Sequence, residues 1–91
     1  MSKYYSLEQY LRNNPNTKIT LTFREIEEIL GFSLPNSAHT YPDAWWGNDI
    51  THTQACSWLN AGWEVKSVNM TALSVTFVRT GSRRTQSVSK K

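Results

Sequence analysis

An α+β fold of winged-helix-like order is predicted for this 91-residue chain by three observations. Three segments open with a helix-start pattern, and three short stretches alternate apolar and polar residues at strand period. In sequence they run helix, strand, helix, helix, strand, strand. In that order three small helices pack on a twisted three-stranded sheet whose last hairpin forms a wing. There is one departure: a long insertion, Gly31 to Ile50, separates helices two and three, well beyond an ordinary helix-turn-helix connection.

The first helix is expected over about 7–13. Ser6 and Gln9 form a capping-box pattern, Tyr5 and Tyr10 stand at staple positions, and Asn14-Pro15 stops the helix. A strand follows at 18–21. The second helix, about 23–30, has Thr22 and Glu25 as its capping box and Leu21 and Ile26 as its staple. Phe23, Ile26, Ile29 and Leu30 recur at helical spacing, and Gly31 supplies the stop. Glu25, Glu27 and Glu28 sit where the helix dipole favours acids. Within the insertion, Pro35 and Pro42 can each open a helical turn, pinned by Trp45 and Trp46. The third helix, about 52–61, repeats the box with Thr51 and Gln54 and the staple with Ile50 and Ala55. Ala55, Trp58 and Leu59 make its apolar face, Thr53, Ser57 and Asn60 its exposed face, and Gly62 its end. Strands at 63–69 and 73–79 are joined by a hairpin at Asn69 to Ala72, and Leu73, Val75 and Phe77 share one strand face.

Composition supports one domain, 1–79, and a tail, 80–91. Apolar residues are 38% of the chain and aromatics 12%, so four Trp, four Tyr and three Phe must supply much of the core. Trp58 and Trp63 are read as core. Trp45 and Trp46 are adjacent and cannot both face one core on a regular element, so one of them is the candidate exposed ring. The net charge of +3 is unevenly placed, because Arg79, Arg83, Arg84, Lys90 and Lys91 all fall in the last thirteen residues, where no acid occurs. With a single apolar residue, Val88, the tail is expected to be disordered, and its charge suits an anionic partner or simple solvation. No run approaches the ~20 apolar residues of a membrane helix, and no leader pattern is visible, so a cytoplasmic location is expected. The single Cys56 excludes an internal disulfide and a cysteine zinc site.

The run Leu21-Thr-Phe-Arg-Glu-Ile-Glu-Glu-Ile-Leu-Gly31 resembles the opening of a small bacterial and phage domain family without an assigned function. The resemblance continues through Leu34-Pro35, Ser37-Ala38, Trp45-Trp46, Asn48-Asp49, His52, Gln54-Ala55, Trp58-Leu59, Ala61-Gly62-Trp63, Val65, Val75, Phe77 and Arg79. It covers nearly all of residues 4–79 and omits the tail. It implies a single compact domain and a link to mobile elements or DNA metabolism, and it supplies no catalytic residue.

The chemistry-bearing residues assemble no recognised catalytic pattern. Asp43, Asp49 and His52 could approach an ion, but their spacing matches no ligand motif, and Cys56 lacks a basic neighbour in sequence. No enzyme activity, metal or cofactor is expected. The leading expectation is a DNA-binding module. In it Thr53, Ser57 and Asn60 face a groove, and Lys66, Arg79, Arg83 and Arg84 meet phosphates. The absence of Lys or Arg on the third helix counts against it. The alternatives are a phage-borne protein inhibitor or adaptor acting on a host nucleic-acid enzyme, and a nucleotide or small-molecule pocket. Both would draw on Trp45, Trp46, Asn48 and His52.

Overall fold

The computed structural model describes residues 2–80. Along the chain run α1 (Tyr5–Arg12), β1 (Lys18–Thr22), α2 (Phe23–Leu30), α3 (Ser37–Thr40), α4 (Pro42–Trp45), α5 (Thr53–Asn60), β2 (Trp63–Asn69) and β3 (Ser74–Arg79). The arrangement is α+β and winged-helix-like, and the insertion between α2 and α5 folds into two short helices, with Pro42 opening α4.

Of the three expected capping boxes, one is formed. At α2 the Glu25 N–H donates to Thr22 Oγ1 at 3.0 Å, and the Thr22 N–H donates to Glu25 Oε1 at 2.8 Å. Leu21 and Ile26 are both buried beside it, and Gly31 closes the helix at φ +85°. At α1 the Ser6 box is absent. Tyr4 is buried and its N–H donates to Ser2 Oγ, so the helix begins before Ser6 and leaves that residue inside the first turn. The Tyr5 and Tyr10 staple is absent too, since both rings are exposed. At α5 the Thr51 box is lost to a competing acceptor. The Thr51 N–H and hydroxyl both donate to Asp49 Oδ1, at 2.9 and 2.7 Å, while the Gln54 amide reaches the Trp45 carbonyl at 3.1 Å. Ile50 is then left exposed rather than stapled.

The sheet is antiparallel with order β1-β3-β2. Its register sets Ile19, Phe77 and Val65 in one row and Leu21, Val75 and Val68 in the next, all on the face covered by the helices. The other face carries Thr20, Thr76 and Ser67 in a polar row, with the two threonine hydroxyls 2.9 Å apart. A bulge between Val65 and Ser67 frees Lys66 from the pairing. In the hairpin, Asn69 Oδ1 accepts from the Thr71 and Ala72 N–H groups, and Leu73 takes a left-handed φ of +51°. Leu73 is therefore exposed and outside β3, and the strand face expected of Leu73, Val75 and Phe77 is kept only by the last two.

Large rings fill the interior. Trp46, Trp58, Trp63 and Phe77 are among the largest fully buried side chains; Trp46 stacks on Trp58 at 5.8 Å, and Trp58 meets Phe77 edge-on at 5.8 Å. Each buried indole N–H donates: Trp46 to the Ala38 carbonyl, Trp58 to Asn48 Oδ1, Trp63 to the Leu11 carbonyl. The core thus spans the insertion, α5 and α1, and no buried side-chain polar atom among the described residues lacks a partner.

Candidate functional site

The structure scatters the residues expected to meet nucleic acid. Thr53 and Asn60 are exposed at the two ends of α5, but Ser57 is only 2% exposed, and its hydroxyl donates to the Gln54 carbonyl at 2.6 Å. The helix packs against both α1 and β2, which widens its buried arc beyond Ala55 and Trp58 to take in Ser57. Arg79 is likewise occupied. Its guanidinium donates to the Asn14 and Asn16 carbonyls and lies 4.6 Å from the Trp63 ring centroid, tying the end of β3 to the loop before β1. Lys66 is exposed at the bulge. Arg83 and Arg84, like most of the tail, lie outside the described residues.

The residues set aside for a pocket divide differently. Trp46 is core. Asn48 works as a one-residue strand partner: its side chain donates to the Val65 carbonyl and accepts from the Val65 N–H, both at 2.9 Å, while accepting from Trp58 Nε1. It holds the insertion against the outer edge of β2. Trp45 is half-buried, packed edge-on against Trp46 at 4.6 Å and Tyr4 at 6.0 Å, and His52 is exposed.

Trp45 and His52 come together in a surface cleft of about 390 Å³, with Ser37, Tyr41, Ala44 and Gln54 completing its lining. The cleft is built where α3 and α4 meet the first turn of α5. The Gln54 bond to the Trp45 carbonyl fastens α5 to the end of α4, and the Asp49–Thr51 turn sets the approach of His52. Tyr41 is 66% exposed, and Ile50, just ahead of α5, is 56% exposed. Bonds from the Thr51 hydroxyl and then its N–H, with a smaller contribution from nearby His52, hold the Asp49 carboxyl below its ordinary pKa.

Charge sets this region apart. Between Arg24 and Lys66 the chain has no lysine or arginine and six acids: Glu25, Glu27, Glu28, Asp43, Asp49 and Glu64. The insertion thus contributes Asp43 and Asp49 and no lysine or arginine, and α5 carries no charged residue. Sequence reasoning singled out Trp45 and His52 but missed Ser37, Tyr41, Ala44 and Gln54. The uninterrupted gap in basic residues was the signal that marked the region. Among the described residues no three or more of His, Cys, Asp and Glu are grouped to hold an ion, so Asp43, Asp49 and His52 form no such cluster. No helix among them is long and apolar enough to cross a membrane.

A family model described as a domain of unknown function (DUF7662) matches residues 4–81, closely the extent expected from the sequence resemblance. No curated protein and no solved structure matches the chain.

Proposed function

The chain belongs to the DUF7662 domain family, and we propose that it is a non-enzymatic module that binds a protein partner through the cleft between α3, α4 and the start of α5. The observation that carries this reading is the exposed Tyr41 lining a cleft with the half-buried Trp45, and the exposed Ile50 just ahead of α5, in a stretch of chain without lysine or arginine. Aromatic side chains dominate the energetics of protein interfaces, and a ring seated at a cleft can anchor a partner without reorganising the core. The test is capture by the full chain from extract of the source cell, compared with a Tyr41→Ser/Ile50→Ser double variant. A protein held by the native chain and lost from the variant, with the thermal midpoint unchanged, is the expected result. Equal capture by both would refute the reading.

DNA binding is a second reading, favoured by the winged-helix-like arrangement and by Lys66 exposed at the bulge of β2. Against it stand the burial of Ser57, the engagement of Arg79 and the lack of lysine or arginine on α5, since phosphate contacts carry most of such affinity. A salt series of anisotropy titrations with duplex DNA separates the two, because only the second reading predicts an affinity for duplex DNA, and one that falls steeply with salt.

A further inference from the structure

Resting on the protein-binding reading, the cleft also carries information about what its partner presents. We propose that it seats the guanidinium group of an arginine on a basic segment of the partner protein. Three features of the cleft favour such an occupant. Its lining includes the aromatic residues Tyr41 and Trp45, and the quadrupole of an aromatic face attracts a cation, arginine among them. His52 is the one basic side chain of the lining, and between Glu25 and Val65 the chain has six acids and no lysine or arginine, so the local charge balance favours a positive guest.

The third feature concerns which acids remain available. Glu25 is committed to the α2 cap, Glu27 accepts from the Leu34 N–H at 2.8 Å, and Glu28 lies 3.8 Å from Arg24. Asp43 forms no salt bridge among the described residues and sits on α4 between the lining residues Tyr41 and Ala44. Gln54 spends an amide N–H on the Trp45 carbonyl and keeps its side-chain oxygen as an acceptor at the cleft. A guanidinium has five N–H donors and no acceptor, so it suits a lining of this kind. A phosphate or carboxylate guest would meet the Asp43 carboxylate with repulsion. The chain already uses the same pairing internally, with the Arg79 guanidinium over the Trp63 ring at 4.6 Å.

The test is an NMR titration of the full chain with a blocked Gly-Ser peptide carrying one arginine, beside the matched citrulline peptide, which has nearly the same shape and no charge. The arginine peptide should shift the Trp45 indole N–H and the Tyr41, Ala44 and Gln54 amides while leaving the Trp63 indole unmoved. Citrulline should bind at least about tenfold more weakly, and Asp43→Asn should weaken the arginine peptide about threefold. Equal binding of the two peptides, or shifts spread over surface acids without the cleft, would overturn the assignment. The protein-binding reading would survive that outcome if the Tyr41→Ser/Ile50→Ser variant still loses its captured partner. A second arm uses full-length Arg83→Gln/Arg84→Gln without peptide. Its cleft resonances should match the native chain. A shift there would mean that the chain's own tail fills the cleft, and the partner assignment would fall.

Discussion

Thr22 shows how one side chain can settle a helix start. Its hydroxyl and the Glu25 carboxylate satisfy each other's backbone N–H groups. Thr22→Ala should lower stability by about 1 kcal/mol, read as a lower denaturation midpoint; no change would mean that the box carries no energy. Asp49 offers a pH-dependent counterpart. Its folded pKa is depressed, chiefly by the Thr51 hydroxyl, so the stabilising effect is complete above the unfolded pKa and lost as pH falls through the lowered folded value. Thr51→Val removes the hydroxyl, and the Asp49 titration midpoint followed by NMR should rise toward the ordinary range. An unmoved midpoint would contradict the assigned cause. The same pair explains a sequence expectation that failed: Thr51 was legible as a cap, but Asp49, two residues back, is an equally local acceptor and a stronger one.

At the scale of elements, the strands and the bounds of α2 were legible because alternation, a capping box and a terminal glycine all agreed there. Gly31 holds φ +85°, and no heavy atom lies within 4 Å of the place a Cβ would take, so Gly31→Ala meets backbone strain and no clash. It should cost about 1 kcal/mol, seen in the same denaturation assay. The face of α5 was not legible. Helical periodicity marks one apolar stripe, whereas α5 packs on two sides, and only the fold shows that Ser57 belongs to the second. The role of Asn48 was hidden for a related reason. Its partners, Val65 and Trp58, lie on other elements, and no local pattern links them. Asn48→Ala strips a hydrogen bond from the buried Trp58 indole and two from the edge of β2. The expected loss is about 2–4 kcal/mol by chemical denaturation, and a loss below ~0.5 kcal/mol would show that the insertion holds without this contact.

Across the whole molecule, the aromatic core joins the insertion to the helices and sheet. Trp46 lies between Trp45 and Trp58, and Phe23 also touches it at 5.2 Å. Trp46→Ala should cost about 3–5 kcal/mol, whereas Tyr41→Ser, at an exposed ring, should leave the thermal midpoint nearly unchanged. That contrast separates what builds the cleft from what the cleft offers. The adjacent tryptophans stood out in the sequence, but the expected exposed ring is not found: Trp46 is buried, and Trp45 packs half-buried against the same core, because α4 docks over α5, a tertiary choice. The central claim, that the insertion and the start of α5 form the working surface, is tested most directly by hydrogen–deuterium exchange of the full chain with and without its captured partner. The account predicts new protection at residues 37–54 and none along the β2–β3 hairpin. Protection confined to the hairpin, with the cleft exchanging freely, would contradict it.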